Sequence, residues 1–436
     1  MTDSPGFQPR SAWILTALLT GLATINFLDK IVFGMVAVPL MAEMHLSPAQ
    51  FGLIAGSFFW LFSTSTIFIG FLSNRFQTRW ILLAMGLSWA LMQVPQALAT
   101  SAAALLVCRV ILGAAEGPAF PVSIHALYKW FPDQKRNLPV SIITQGAALG
   151  LLLAGLLIPL ITRTWGWRAN FVILSAIGAV WSVLWLYFGR EGTLGVRPAA
   201  AGARGDVQAA APAAERLPYR TILTDPTVLS TFLLGFAVYW MLGQNLTWLP
   251  TYLEKGLGFS SIEAGRWFAV VTEVAAPVNI GLSWLSQRLL QRGASTRQAR
   301  AQFVCLMMLV GAALFLALPV LHLPPVQRVI LFTVAGALPT LCFTLAPALL
   351  AEVVPASQRG AIVSIHTAVA SLGAAIAPVV MGHIVQTRGS VGAQAYELGF
   401  VAGAVLLVTA ALVGLRWLHP ERSNRSLNRS RAPVTA

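Results

Sequence analysis

Four charged residues interrupt long apolar runs of the sequence, and they are its strongest candidates for chemistry. Asp29 and Lys30 are adjacent in the first run, while Arg109 and Glu116 lie seven residues apart in another. A charge at the centre of a lipid bilayer costs roughly 2.5 to 3.5 kcal/mol even on the mildest scale, so such residues are functional candidates. When all four are ionised their charges sum to zero. An incoming anion would add one negative charge, which protonation of a carboxylate would remove.

Helical geometry decides which of these side chains can act together. Seven residues are close to two helical turns, so Arg109 and Glu116 share one helix face, which we expect to line a cavity. Asp29 and Lys30 point about 100° apart, so we expect one to face neighbouring helices and the other the cavity. The alternative is a buried, neutralised network that only holds helices together.

The elements that position these charges are predicted to be membrane-spanning helices. The chain has 436 residues, of which 57% are hydrophobic and 10% are charged, whereas soluble domains carry about 25% charged residues. Apolar stretches long enough for a hydrocarbon core of about 30 Å recur along it, and helices satisfy their backbone hydrogen bonds in lipid. The predicted fold class is an all-α membrane protein. Its twelve predicted spans are residues 13–39, 50–73, 79–100, 102–128, 138–161, 168–188, 227–252, 262–287, 301–320, 326–350, 361–385 and 395–417.

A polar segment divides these spans into two similar halves. At a single offset of 223 residues, 131–150 matches 354–373, with Arg136 aligned to Arg359. Parallel six-helix repeats are typical of transporters whose halves rock about a midplane site. The predicted domains are an N-terminal half at 1–188, a cytoplasmic linker at 189–223, a C-terminal half at 224–417 and a basic cytoplasmic tail at 418–436.

The formal net charge of +14 predicts orientation in the membrane. With the N-terminus in the cytoplasm, 21 Lys and Arg residues fall on the inside and six on the outside, which follows the positive-inside rule. We therefore expect a multi-pass protein of the cell inner (plasma) membrane with both termini cytoplasmic. The charge then reflects topology and contact with membrane lipid, and we expect no nucleic-acid partner. Three dispersed cysteines within spans predict neither disulfides nor a metal site, and no cofactor is expected.

Along its whole length the sequence resembles the major facilitator superfamily. The segment "GFLSNRFQTR" (70–79) is similar to the family's loop after the second span, with Asn74 where the family usually has Asp. In the family this loop is a cytoplasmic latch between the halves. The predicted gate residues are Gly70, Asn74, Arg75, Arg79, Glu352 and Arg359.

Two further segments resemble the anion:cation symporter branch of this family. They are "RVILGAAEGPAFPVSIHALYKWFPDQKR" (109–136) and "GWRANF" (166–171). The resemblance implies proton-coupled uptake of a small organic anion, such as a sugar acid or other carboxylate, by alternating access. It implies proton coupling for the acids at Asp29 and Glu116, and anion binding or charge relay for the base at Arg109.

Lys30 stands where this branch often has Arg, and it is predicted to bind the substrate. Lysine keeps the charge but lacks the planar fork that grips a carboxylate through two hydrogen bonds. Glu273, in the eighth span, is a further proton-coupling candidate, although a structural hydrogen bond would explain it equally well. Four other polar residues could bind substrate or join helices. They are Gln145, Asn245, Trp248 and His366.

Other functional classes are weighed against this one. A proton antiporter that exports drugs or metabolites usually has Gly-Pro in its fifth helix, and "VSIITQGAALGLLLAGLLIPLI" contains none. An enzyme or a sensor would need a polar cluster at an interface or an added soluble domain, and the loops are too short for either. We expect a functional monomer without enzymatic activity, whose partners are an organic anion and protons. Hexonates, hexuronates, dicarboxylates and aromatic acids all remain open as cargo.

Overall fold

The computed structural model describes residues 8–72, 75–192, 194, 217–355, 357–389 and 392–429. Every regular element in these ranges is helical, in agreement with the all-α prediction. The helices are α1 (Pro9–Met35), α2 (Ala37–Glu43), α3 (Pro48–Ser57), α4 (Phe62–Leu72), α5 (Thr78–Ala97), α6 (Ala102–Glu116), α7 (Ala119–Tyr128), α8 (Asn137–Trp165), α9 (Trp167–Phe188), α10 (Tyr219–Leu223), α11 (Pro226–Thr251), α12 (Ser261–Gln291), α13 (Phe303–Ala317), α14 (Pro325–Ala337), α15 (Leu341–Val353), α16 (Arg359–Arg388), α17 (Ala393–Trp417) and α18 (Pro420–Arg429).

Twelve membrane helices correspond to the twelve predicted spans. Within the described ranges, eleven segments are long and apolar enough to cross a membrane. Three of these are broken helices, formed by α3 with α4, α6 with α7 and α14 with α15. The remaining span, predicted at 79–100, is α5, which is less apolar because it carries Gln93 and Gln96. It still packs inside the bundle, against α6 and α9.

The basic tail predicted after residue 417 contains a helix, α18. Ser423 of α18 donates a hydrogen bond to Asp225 over 2.9 Å, and Asp225 also caps the start of α11. The tail is therefore anchored to the C-terminal half as far as Arg429. Residues 430–436 lie outside the described ranges.

The two halves repeat local contacts as well as sequence. Arg136 donates its Nε hydrogen to the carbonyl of Phe131 over 2.9 Å, and Arg359 does the same to Val354 over 3.1 Å. This equivalence of Arg136 with Arg359 is the one that the repeat at offset 223 predicts. Each six-helix half therefore stabilises the turn before its fifth span in the same way.

A second repeated contact joins helix ends on the face of the bundle that carries the described linker residues 189–192 and 217–223, here called the linker face. The backbone N–H of Arg79 donates to the Glu191 carboxylate over 3.0 Å, and that of Arg297 donates to Glu421 over 2.9 Å. In both halves, the guanidinium of the same arginine also donates to a carbonyl near the end of the sixth helix of its half. In each half, the arginine and the carboxylate that its backbone N–H contacts are here called the clamp of that half. Each clamp joins helices of its own half.

The Glu191 carboxylate is the centre of the clamp in the N-terminal half. Burial raises the pKa of this carboxylate. Hydrogen bonds from the Lys129 ammonium, the Arg79 backbone and the Thr78 hydroxyl lower it by more than burial raises it, so the pKa lies below the ordinary 4.5. A carboxylate with a lowered pKa stabilises the folded state fully above its unfolded pKa. That stabilisation is lost as pH falls through the folded value.

Replacing Glu191 with Gln should therefore lower stability in a pH-dependent way. At pH 7 we expect a loss of about 1 kcal/mol, because Lys129 loses its charged partner. The gap between variant and wild type should narrow as pH falls below 4.5, where the unfolded carboxylate takes up a proton, and should close once pH has fallen through the lower pKa of the folded carboxylate. Thermal unfolding of the purified protein in detergent from pH 7 to pH 3.5 measures both effects. A gap of constant size across this range would contradict the assignment.

The halves meet closely on the face away from the linker, here called the opposite face. Gly34 near the end of α1 packs directly on the backbone carbonyl of Leu246 in α11, and Gly52 in α3 packs on that of Pro378 in α16. A Cβ atom at either glycine would overlap the facing oxygen. Small residues let membrane helices approach to backbone contact, so this face is sealed by main chain against main chain.

A side chain at Gly52 should break this seal. We expect Gly52→Val to destabilise the observed arrangement by about 1 to 3 kcal/mol, the usual cost of overpacking, and to favour opening of the opposite face. Gly281→Val is the matched control, because a Cβ at Gly281 would meet nothing within 4 Å. The measurement is the rate at which a bulky thiol reagent labels a Thr367→Cys reporter, near the start of α16 on the linker face. We expect slower labelling with Gly52→Val than with Gly281→Val, because opening of the opposite face would close the linker face. Equal labelling in both glycine variants would show that the seal does not depend on Gly52.

Candidate functional site

The four central charges lie on two helices of the N-terminal half. α1 carries Asp29 and Lys30, and α6 carries Arg109 and Glu116. Asp29, Arg109 and Glu116 are almost fully buried, at 1%, 3% and 1% exposure. Lys30 is only partly buried. The sequence therefore brings two acids and two bases into one region, away from bulk water.

Asn26 links Lys30 to Glu116. The Lys30 ammonium donates to Asn26 Oδ1, and Asn26 Nδ2 donates to Glu116 Oε2 over 2.8 Å. Lys30 Nζ also lies 3.9 Å from the same carboxylate oxygen. The other oxygen of Glu116, Oε1, is buried and accepts no hydrogen bond from any described residue. This arrangement leaves one carboxylate oxygen available for a proton.

Sequence reasoning did not single out Asn26, although a signal was present. The residue lies four positions before Lys30 on the same helix, where side chains are neighbours, and it is an amide inside an apolar run. Asn26 carries no charge, so a search for charged residues in apolar runs does not find it, although it connects two of them.

Asp29 and Arg109 lie deeper in the N-terminal half. The Arg109 guanidinium lies between the rings of Phe33 and Phe58, with its carbon 4.9 Å and 4.6 Å from their centroids. Its Nε and Nη1 atoms, like Asp29 Oδ1, have no hydrogen-bond partner among the described residues. Asp29 faces the fully buried Gln93 and lies within electrostatic reach of Arg109. These two residues carry opposite charges whose hydrogen-bonding capacity is only partly used.

A cavity of about 590 Å³ lies between the halves and is lined by Lys30 and Glu116 but not by Asp29. Adjacent residues on one helix are thus divided between the cavity and the helix packing, as their angular separation predicts. Arg109 does not line the cavity, so the expectation that it shares this wall with Glu116 is wrong. The rings of Phe33 and Phe58 enclose it one layer behind the wall.

The cavity opens toward the linker face. Among its lining residues are Thr144 of α8 and Thr367 of α16, both within the first ten residues of helices that begin at that face. At the opposite face the halves are sealed by the glycine contacts of Gly34 and Gly52. The structure therefore represents a state with access from one side of the membrane only.

Three of the four other predicted substrate-binding residues are placed in helix packing or on the surface. Gln145 is exposed on α8. Trp248 is fully buried, donates Nε1 to the Pro378 carbonyl over 3.0 Å and meets the Phe51 ring edge-on at 5.2 Å. His366 is buried beside Phe232, with ring centroids 5.6 Å apart. None of these three lines the cavity in the described part of the chain.

Asn245 and Glu273 are polar residues of the C-terminal half that also lie outside the cavity lining. Asn245 Oδ1 and Glu273 Oε1 are both buried without a hydrogen-bond partner among the described residues. They lie on α11 and α12 respectively. The C-terminal half thus places its unpaired polar atoms within helix packing.

The predicted gate residues make contacts within their own halves. Arg79 Nη2 donates to the Leu186 carbonyl over 2.9 Å. Glu352 accepts from Arg300 over 3.2 Å and from Thr296 over 2.8 Å. Arg75 is exposed and Gly70 lies in α4, while Asn74 lies outside the described residues. Among the described residues, the side-chain hydrogen bonds and ion pairs of this group all stay within one half.

Two six-helix halves around a central cavity, with buried charges beside it, are the architecture of a membrane transporter. The chain belongs to the Major Facilitator Superfamily, whose family pattern matches residues 19–338 and 295–436. This confirms the family resemblance.

The relatives of this chain include carriers of organic anions. A probable sulfoacetate transporter of Cupriavidus necator is 27% identical over 90% of this chain and 90% of its own length. A hexuronate transporter of Bacillus subtilis is 30% identical over 57% of this chain and 58% of its own. Among solved structures, a bacterial homolog of the human lysosomal transporter Spinster, inward-facing and unoccupied, has a TM-score of 0.78 at 21% identity, covering 97% of this chain and 99% of its own. The structural match shows the fold alone.

The bridge made by Asn26 can be tested through stability. Asn26→Leu removes the donor to Glu116 and the acceptor for Lys30, and leaving such buried groups unpaired costs about 1 to 3 kcal/mol. Gln145→Leu is the matched control, because it removes an exposed amide from the same half. We expect a clear fall in the thermal unfolding midpoint in detergent for the first variant only. Equal midpoints would mean that Asn26 does not connect the two charges.

Proposed function

We propose that this transporter takes up a small organic anion together with protons, as a symporter. The observation that carries the proposal is the pairing of Glu116 and Lys30 in the cavity wall, 3.9 Å apart and joined by Asn26. A cation that lines the cavity can attract an anion. A buried acid beside it can take up a proton in response.

The coupling follows from charge balance in a medium of low dielectric constant. In the observed state Lys30 neutralises Glu116. If a cargo carboxylate takes Lys30 as its partner, the carboxylate of Glu116 is left buried without a counter-charge, which is strongly unfavourable. Uptake of a proton at Glu116, whose Oε1 is unpaired, removes that cost. Anion and proton therefore favour each other's binding, which is what symport requires.

Asp29 and Arg109 form a second layer of the proposed mechanism. Both are buried, and they lie within electrostatic reach of each other. We assign them the role of a charge relay. Asp29 is a second protonation site, and its change of charge beside Arg109 keeps the N-terminal half neutral when Glu116 changes charge. Glu273 is a further candidate for proton coupling in the C-terminal half, since its Oε1 has no described partner.

The relatives support an organic anion as cargo. Proteins similar to this chain include a probable sulfoacetate transporter and a hexuronate transporter. The charge distribution of the loops supports an inner-membrane orientation with both termini, the 189–223 linker and the 418–436 tail in the cytoplasm. In that orientation the observed cavity opens to the cytoplasm. We propose that the monomer is the functional unit, because each chain encloses its own cavity between residues 1–188 and 224–417.

The test is uptake of a panel of carboxylates and sulfonates into proteoliposomes under an imposed pH gradient. We expect at least one organic anion to accumulate only when the gradient is applied. Failure of every anion to accumulate would contradict symport.

Variants separate proton coupling from cargo binding. Glu116→Gln and Asp29→Asn should abolish gradient-driven accumulation in at least one case, while exchange of labelled for unlabelled cargo continues, because exchange needs no net proton movement. Glu263→Gln is the matched control, because Glu263 is the N3 residue of the capping box at the start of α12 and Gln is also found at that position. Unchanged accumulation in both the Glu116 and the Asp29 variants would make these acids structural.

A further inference from the structure

We infer that the cargo is a monocarboxylate with a compact aromatic or apolar body, not a polyhydroxylated sugar acid. This inference rests on the proposed function, since it specifies the cargo of the same cavity. It is carried by three properties of the wall: its aromatic side chains, its single cation and the bonding of its hydroxyl groups.

Aromatic rings surround the cation that would hold the carboxylate. The Lys30 ammonium lies 4.6 Å from the centroid of the Phe27 ring and 5.3 Å from that of Phe62. Phe59, Phe120 and Tyr239 also line the cavity. A carboxylate bound at Lys30 would therefore place its attached carbon body among ring faces and edges. Aromatic groups pack favourably in such surroundings, at offset or edge-to-face geometry.

Most hydroxyl groups of the cavity wall already donate hydrogen bonds to their own helices. Such hydroxyls keep their acceptor lone pairs but have no free hydrogen to offer a sugar oxygen. These bonds run from Thr66 to Phe62 over 2.8 Å, from Thr144 to Val140 over 2.9 Å, from Ser364 to Gly360 over 2.9 Å and from Thr367 to Val363 over 3.0 Å.

The one side-chain amide among the described lining residues, that of Asn26, is also hydrogen-bonded. Asn26 uses its Nδ2 on Glu116 and its Oδ1 on Lys30. A sugar acid enclosed here could donate to the lone pairs of these hydroxyls but would find few donors for its own oxygen atoms, and sites discriminate strongly against polar groups that are incompletely paired. An apolar body carries no such requirement.

The wall also provides for one negative charge only. Lys30 is the sole Lys or Arg among the described lining residues, and Glu116 is the sole acid. Arg109 is held behind the wall by Phe33 and Phe58. A dianion would bring a second charge with no cation to meet it, so the wall favours a monoanion.

The experiment compares two monoanions of different body chemistry. Phenylacetate and D-galactonate are titrated into the purified full-length protein by calorimetry, and uptake of each into proteoliposomes is corrected with protein-free vesicles, because protonated phenylacetic acid crosses lipid unaided. We expect phenylacetate to bind at least about tenfold more tightly. Tighter binding and proton-driven uptake of galactonate would overturn this inference but leave symport intact. Binding of neither, with no other anion accumulated, would overturn both.

A pair of variants on one helix tests the aromatic wall itself. Phe62→Leu removes the ring beside Lys30, and we expect the affinity for phenylacetate to fall about fivefold. Phe68→Leu is the matched control, because Phe68 lies on the same helix, is 71% exposed and lines no part of the described cavity. It should leave the affinity unchanged, with similar unfolding midpoints for both variants. Equal affinity in the two variants would show that the ring at position 62 does not contact cargo.

Discussion

The structure depends on neutralising the buried charge of Glu116, which water cannot reach. Glu116 is buried in the cavity wall, and Lys30 and Asn26 are placed on one face of α1 so that the carboxylate has both a counter-charge and a hydrogen-bond donor. The cost of an unpaired buried charge is several times that of most single interactions in a folded protein. Helix placement around this group is therefore tightly constrained. One such constraint is Gly113, whose lack of a side chain lets α6 lie against the backbone of Phe58.

The same constraint separates two layers with different roles. The outer layer, Lys30 with Glu116, meets the cavity and can exchange partners with a cargo. The inner layer, Asp29 with Arg109, is closed off by aromatic rings, and its charges can respond to the outer layer only through the electric field. A shift of charge in one layer changes the most favourable protonation state of the other. The charges to which we assign coupling thus lie in the N-terminal half, whereas the described cavity residues of the C-terminal half, such as Tyr239 and Thr367, carry no charge.

The sequence predicted much of this architecture because its signals are strong and local. Long apolar runs allow only helices in lipid, and the internal repeat identified equivalent residues such as Arg136 and Arg359, which make matching contacts in the structure. The site was predicted less completely. Charges are conspicuous in an apolar helix, but the depth of Arg109 depends on the ring of Phe33 in α1 and that of Phe58 just after α3, which come together only in three dimensions. The burial of Trp248 in the opposite-face seal likewise results from packing between halves, which helical periodicity cannot reveal.

At Gly34 and Gly52 the halves meet through contacts with backbone carbonyls and not through side chains of their own. Leu246 belongs both to this seal and to the cavity lining, but it meets Gly34 through its main-chain carbonyl, which is the same whatever side chain stands at that position. Cargo preference can change through substitutions in the cavity wall without opening a leak for protons or ions, because the barrier is built from atoms that those substitutions leave in place. Selectivity and tightness are in this way separable properties of the fold, free to evolve at different rates.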